Sequence, residues 1–246
     1  MSRADEYRRE LREAPDWEAY LRAHSGLPGP RGNLELLGAA ADVGSRAQFE
    51  RLAASDDEFV AACGAAGLGQ VAAAGEDSVQ KLRSLASDGR WRVREGVAMG
   101  LQRLGDAHMD RLLGEMERWA DGSPLEQRAA AAALCEPRLL GDPAHVRRVL
   151  AVLDRITASL ASAPDRRSED VRVLRQGLAY CWSVAAAALP EEGRTALDRW
   201  MATDDPDVRW VIRRNLGKHR IAALGADWVA ERQMRLDARS GGRRPR

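Results

Sequence analysis

Apolar residues recur every three to four positions along most of the chain, a spacing that predicts amphipathic α-helices. Two segments show this pattern best. One begins at Val93 and the other at Val208, and each has apolar residues at i, i+4 and i+8, ending at Leu101 and Leu216. The matching stripes indicate that the chain repeats one helical unit.

Turn residues divide the chain at a regular interval. Asp56, Asp88 and Asp121 stand 32 and 33 residues apart, a spacing that accommodates one helical hairpin. Ser123-Pro124 adds an N-cap followed by a first-turn proline, which predicts a helix start. We predict first helices of successive hairpins near residues 46–55, 76–86, 107–120, 143–162 and 191–202, and second helices near 57–74, 91–104, 124–135, 168–188 and 207–219.

The composition favours an all-α fold. The chain contains 43 Ala but only 3 Tyr and 2 Phe. Alanine has the highest helix propensity, whereas strands are enriched in β-branched and aromatic residues. The glycine-rich segment 64–69 has no strand before it, so it does not resemble a phosphate-binding loop. We predict that it lies at a helix end where helices pack closely.

The second helices share a pattern of Asp, one to four residues, Val-Arg, small residues, then Leu and often Gly. This pattern is clearest in residues 88–105 and 205–217 and resembles the second helix of HEAT repeats over about residues 45–221. The resemblance implies a right-handed α-solenoid of about five hairpins whose second helices line a concave groove. It also implies a noncatalytic module that binds a protein or peptide in that groove.

The segments outside the repeats predict caps, because the end repeats of such a stack need covering. We expect an N-terminal helical cap or arm with a loop in residues 1–33, the repeats in 34–221, a capping helix in 222–239 and a disordered basic tail in 240–246.

Basic charge is concentrated near the C-terminus. Residues 206–246 hold eleven Lys and Arg against four Asp and Glu, a net charge of +7 that leaves about −6 for the rest of the chain. Such a segment suits phosphate or other anions. Trp91 and Trp210 lie near the first turn of the two clearest second helices, where they could stack on a ligand. The candidate ligand-binding residues are these tryptophans and the cations Arg90, Arg209, Arg213, Arg214 and Lys218.

A structural interpretation of the same residues stays open. Each tryptophan could instead be a wedge buried between helices. Arg94, Arg172 and Arg209 could pair with an Asp of the adjacent turn and form a ladder along the repeats.

The same residues carry a second resemblance, to the bacterial alkylpurine DNA glycosylases with HEAT-like repeats. By this resemblance Trp91 and Trp210 would stack near the lesion and Arg213 or Arg214 would contact phosphate. Glu95 would be the carboxylate that supports the departing base, although that family typically has aspartate there. The alternative function is therefore DNA binding or N-glycosidic bond hydrolysis in DNA repair. The short helical repeats also resemble those of phycobilin lyases, a third interpretation.

The remaining signals concern metals and compartment. The three cysteines lie in apolar stretches, which predicts buried thiols in a reducing compartment. The four histidines are far apart, so we expect no metal site and no cofactor. Residues 1–17 have no apolar core of a signal peptide, and the longest apolar run, 179–189, is too short to span a membrane. We expect a cytoplasmic protein with no membrane partner; its oligomeric state is left open.

The repeat register makes a testable prediction. If Leu101 and Leu216 belong to the apolar stripes, then Leu101→Ala and Leu216→Ala should each lower the free energy of unfolding by about 2–5 kcal/mol, through lost burial and a residual cavity. Urea denaturation followed by circular dichroism measures this change. Wild-type stability in both variants would show that the register is wrong.

Overall fold

The computed structural model describes residues 2–29 and 31–241. Every regular element within these ranges is helical, so the all-α prediction is confirmed. The chain divides into two compact units, Met1–Leu112 and Leu113–Arg246. No helix of the described residues is both long enough and apolar enough to cross a membrane.

Unit 1 contains six complete helices and the start of a seventh. They are α1 (Arg3–Glu13), α2 (Trp17–His24), α3 (Leu34–Val43), α4 (Arg46–Ala53), α5 (Glu58–Ala73), α6 (Val79–Leu85) and α7 (Trp91–Trp119), which continues into unit 2. The other helices of unit 2 are α8 (Pro124–Leu134), α9 (Pro143–Ala161), α10 (Glu169–Ala188), α11 (Pro190–Met201), α12 (Pro206–Leu216) and α13 (Ala226–Gly241), with short 3₁₀ segments at Pro137–Leu139 and His219–Leu224.

Local capping explains where several of these helices begin. The Ser123 hydroxyl accepts a hydrogen bond from the Glu126 backbone N–H, and the Glu126 carboxylate accepts one from the Ser123 backbone N–H. Asp142 and Asp205 accept from the first turns of α9 and α12, each with proline at the start of the helix. These side chains satisfy backbone donors that a helix start leaves unpaired. The predicted N-cap at Ser123 is confirmed.

Several elements differ from the predictions. The two helices expected on either side of residues 104–107 form one element, α7, interrupted only at His108, whose φ of −148° and ψ of 73° are not helical. Helix α12 ends at Leu216, before residue 219. Helix α3 was not predicted; its cap is Asn33, whose side chain accepts from the backbone of Leu36. Of the predicted tail 240–246, Ser240 and Gly241 belong to α13 and the rest lies outside the described residues.

Unit 1 is packed around α5. Most residues of this helix are buried, and it contacts α2, α3, α4 and α6. Close approach requires glycine. A Cβ on Gly69 would lie 2.1 Å from the backbone oxygen of Gly100, and one on Gly64 would lie 2.2 Å from the backbone nitrogen of Ala53. Segment 64–69 therefore lies inside α5, not at its end, but the predicted close packing is present.

Unit 2 is packed around α10. Helices α8, α9, α11 and α12 all contact it. Trp182 of α10 is fully buried, and its indole nitrogen donates to the Thr157 hydroxyl on α9 at 2.9 Å. The neighbouring thiol of Cys181 is buried with that of Cys135, and Cys63 is buried in unit 1. The prediction of buried cysteines is confirmed.

The glycine contact predicts a stability difference between two similar substitutions. Gly69→Ala should destabilise unit 1 by about 1–3 kcal/mol, because only movement of the α7 backbone makes room for the methyl group. Gly114→Ala is the matched control in α7, where a Cβ meets nothing within 4 Å. It should stabilise by about 0.5–1 kcal/mol through helix propensity. Thermal unfolding of both variants tests this, and equal melting temperatures would contradict it.

Candidate anion-binding surface

The predicted site residues fall in two groups. Arg90, Trp91 and Glu95 belong to unit 1, at or just before the start of α7. The other group belongs to unit 2, on α12 or directly after it, and comprises Arg209, Trp210, Arg213, Arg214 and Lys218. The two tryptophans therefore lie in different units.

In unit 1, Trp91 is 49% exposed, so the interpretation of this residue as a buried wedge is wrong. The guanidinium carbon of Arg92 lies 4.4 Å from the centre of the Trp91 ring. The same guanidinium forms an ion pair with Glu58 of α5. The cation beside this ring is therefore already neutralised. Glu95 is half-buried on the same helix.

The other arginines near Trp91 stabilise the turn before α7. Arg90 pairs with Asp88 at 2.8 Å and donates to the Ser55 carbonyl at 2.7 Å. Arg94 donates to the carbonyl of Asp88 at 2.6 Å. The hydrogen bond from Arg90 holds the pKa of Asp88 below its usual value. For Arg90, these contacts support a structural role.

In unit 2, Trp210 is half-buried on α12 and two guanidinium groups approach its ring. The guanidinium carbon of Arg175, on α10, is 4.8 Å from the ring centre, and that of Arg214 is 5.6 Å away. Trp210 and Arg214 are four residues apart, so they share one face of α12. The helix pair thus places two cations beside one indole.

A second aromatic ring extends this arrangement. Tyr180 of α10 is 44% exposed. The guanidinium carbon of Arg220 lies 4.4 Å from its ring centre, and Arg220 Nη2 donates to the Tyr180 hydroxyl at 2.8 Å. The ammonium of Lys218 is 5.9 Å from the same ring centre. We call the set of six residues the α10–α12 surface: Arg175, Tyr180, Trp210, Arg214, Lys218 and Arg220.

Buried polar contacts hold α10 and α12 in register beneath this surface. The side chain of Asn215, fully buried on α12, donates to the Leu178 carbonyl at 2.9 Å and accepts from the Ser183 backbone at 2.8 Å. Asp207 accepts from Arg175 at 2.5 Å and from Arg166 at 3.1 Å. The positions of the surface cations are thus fixed by contacts within unit 2.

The pKa of Asp205 reflects the same network. Burial opposes ionisation of this carboxyl, but hydrogen bonds from Arg166 and from the backbone of Val208 outweigh burial and lower its pKa. Asp205 therefore stays charged and caps α12 while it anchors Arg166.

Most cations of the α10–α12 surface lack a carboxylate partner. Among the residues that the structure describes, no carboxylate lies within 4.0 Å of the charged nitrogens of Arg214, Lys218 or Arg220, nor of nearby Arg209. Arg213 differs, because its Nη2 donates to the Leu236 carbonyl of α13 at 2.9 Å. Arg213 therefore helps to fix α13.

The arginines of α9 and α11 are neutralised. On α9 and α11, Arg147 pairs with Glu192 at 3.0 Å, and Arg199 pairs with Asp154. Further pairs join α9 to the α7–α8 region and α13 to α11: Arg148 with Glu117, Arg155 with Asp121 and Arg232 with Asp198. The arginines of α9 and α11 therefore differ from Arg214, Lys218 and Arg220, which have no carboxylate partner among the described residues.

An arginine ladder is present, but mostly through other residues than those predicted. Arg172 pairs with Glu169 of its own helix at 2.9 Å, and Arg209 has no carboxylate within pairing distance among the described residues. Several pairs join residues 31 to 34 positions apart in the sequence, close to the predicted repeat period. They are Arg92–Glu58, Arg148–Glu117, Arg155–Asp121, Arg175–Asp207 and Arg232–Asp198.

Sequence reasoning identified Trp210, Arg214 and Lys218 but missed Arg175 and Tyr180. Both lie on α10, five residues apart. Their partners are more than thirty residues away, so only packing of α10 against α12 reveals the contact. In the described part of the chain no group of three or more His, Cys, Asp or Glu side chains is placed to hold a metal ion.

Comparisons with known proteins are sparse. No protein-family model matches the chain, and no curated protein matches it. A solved structure of an engineered protein aligns with a TM-score of 0.40 at 17% identity, covering 92% of this chain and 100% of the engineered one. This low TM-score supports no conclusion about the fold or function of the chain.

Proposed function

We propose that this chain is a noncatalytic binding module of HEAT-like helical hairpins that holds a protein or peptide partner, and that unit 2 binds it through the α10–α12 surface. One observation carries the proposal. Arg214, Lys218 and Arg220 lack carboxylate partners, whereas arginines of α9 and α11 are paired. Unpaired fixed cations beside half-exposed aromatic rings are typical of surfaces that recognise a partner.

The chemistry of the surface favours binding over group transfer. It presents guanidinium and ammonium groups, an indole and a phenol. These groups donate hydrogen bonds and attract anions. A nucleophile activated by an adjacent base, which covalent catalysis requires, is not part of the set.

DNA binding, with or without glycosylase activity, is the alternative. The unpaired charges of Arg209, Arg214 and Lys218 favour it, because each could neutralise a phosphate. Glycosylase activity would also need Glu95 and Trp91, which lie in unit 1. The two functions differ in how affinity depends on salt and in whether a base is released.

Site-directed photo-crosslinking tests the proposed surface. Benzoylphenylalanine in place of Gln176, exposed on α10 one turn before Tyr180, should crosslink a partner in cells. The same residue in place of Ala151, exposed on α9, is the matched control. We expect a protein adduct from position 176 that position 151 does not give. Arg214→Gln with Lys218→Gln should abolish that adduct, whereas Arg147→Gln with Arg199→Gln should leave it unchanged.

The pattern of adducts decides the outcome. Equal adducts at both positions, or an adduct that survives loss of Arg214 and Lys218, would show that the partner does not use this surface. A nucleic acid adduct at position 176 would favour the alternative function.

The DNA alternative makes its own prediction. If it holds, duplex DNA should bind with steep salt dependence, and Arg213→Ala with Arg214→Ala should reduce the slope of log affinity against log salt by about one to two, slightly under one per phosphate contact. Fluorescence anisotropy over a salt series measures the slope. Release of an alkylated base that Glu95→Gln abolishes would establish the glycosylase. An unchanged slope would exclude phosphate contacts by these two arginines.

A further inference from the structure

Arg214 and Arg220 of the α10–α12 surface lie against aromatic rings and are not neutralised by a carboxylate. Arg220 lies against the Tyr180 ring and donates to its hydroxyl, and Arg214 lies beside the Trp210 ring. A carboxylate that held these guanidinium groups would also cancel their charge. An aromatic ring attracts a cation through its quadrupole and leaves the net charge intact. The surface therefore retains its positive charge.

The rings themselves are largely engaged by these cations. Two cationic groups lie 4.8 and 5.6 Å from the centre of the Trp210 ring, and two lie 4.4 and 5.9 Å from that of Tyr180. A nucleobase that stacked on either ring would compete with a cation for it. Single-stranded nucleic acids gain much of their affinity from such stacking. An anion without an aromatic base meets no such competition.

The cations are also spread along the surface. Arg214 lies on the last turn of α12, while Lys218 and Arg220 follow the helix end at Gly217. The three cations belong to three different residues, so each can bind a separate anionic group. Extended chains place alternate side chains on one face about 7 Å apart, and one helical turn rises about 5.4 Å. Carboxylates of a polypeptide repeat on this scale.

We propose that the ligand of the α10–α12 surface is an acidic polypeptide segment, whose Asp and Glu carboxylates bind Arg214, Lys218 and Arg220. This proposal rests on the proposed function and specifies its partner. Guanidinium groups suit carboxylates because their planar N–H donors can form paired hydrogen bonds. The charge of the surface selects the segment, and the rings hold Arg220 and Arg214 ready for it.

Anisotropy with two labelled peptides tests the proposal on the full chain. One peptide alternates Glu and Ser, and the control alternates Gln and Ser at the same length. We expect the Glu peptide to bind and the Gln peptide not to bind. The triple variant Arg214→Gln, Lys218→Gln and Arg220→Gln should weaken the Glu peptide about tenfold or more, because it removes charge-assisted contacts. The matched variant Arg147→Gln, Arg155→Gln and Arg199→Gln removes equal charge from ion-paired positions and should change affinity less than about twofold.

A further substitution tests whether peptide binding depends on the aromatic ring beside the cations or on their net charge alone. Tyr180→Leu keeps every charge but removes the ring beside Arg220 and Lys218. It should weaken the Glu peptide about two- to fivefold, the worth of an exposed cation–π contact. Unchanged melting temperatures in the variants confirm that they fold.

Three results would overturn the proposal. They are absence of Glu peptide binding at low salt, equal weakening by the matched variant, and tighter binding of a single-stranded or duplex oligonucleotide that the Arg214, Lys218 and Arg220 triple variant abolishes. If the position 176 crosslink still depends on Arg214 and Lys218 while the Glu peptide fails to bind, the proposed function stands and only the acidic partner is wrong.

Discussion

Close approach of helix backbones is the constraint on which unit 1 depends. Gly69 lies against the Gly100 backbone, and a Cβ on Gly96 would lie 2.4 Å from the Ala62 carbonyl oxygen. Such contacts leave no room for larger residues at these positions, so alanine and glycine occupy the closest helix contacts, while leucine, valine and phenylalanine fill the rest of the core. Small residues remove little apolar surface each, so stability depends on many close contacts between helices. This dependence explains why α5 is buried on nearly all sides and why we expect a methyl group added at Gly69 to destabilise unit 1.

Unit 2 has a network of buried polar contacts between α10 and α12. Asn215 connects α12 to two backbone groups of α10, and Asp207 connects α12 to Arg175. A buried amide stabilises only the arrangement in which its donors and acceptor are all satisfied. The network therefore selects one register of α10 against α12. That register brings Tyr180 of α10 beside Arg220, beyond the end of α12, so the buried contacts that define the packing also assemble the α10–α12 surface.

Periodicity and capping predicted most second helices within a few residues, because both signals are local. Asp205 and Pro206 define the start of α12 from adjacent positions alone. Helix α3 was not predicted, because its cap, Asn33, follows a glycine- and proline-rich stretch that is typical of a loop. Half of the candidate surface could be identified for the same reason: Trp210, Arg214 and Lys218 are close in sequence. Arg175 and Tyr180 depend on tertiary packing, and whether an arginine is paired depends on residues about 32 positions away.

The distribution of ion pairs leaves the α10–α12 surface positively charged. Isolated surface ion pairs add little stability, so a chain with nearly equal numbers of acidic and basic residues gains little from pairing all of them. Leaving Arg214, Lys218 and Arg220 unpaired therefore costs unit 2 little, while the aromatic rings limit the conformational freedom of these side chains. A carboxylate that arrives later meets cations already in place, and less ordering entropy opposes its binding. Because aromatic rings rather than carboxylates hold these cations, their positive charge stays available to an anionic partner, and unit 2 does not need that charge for its stability.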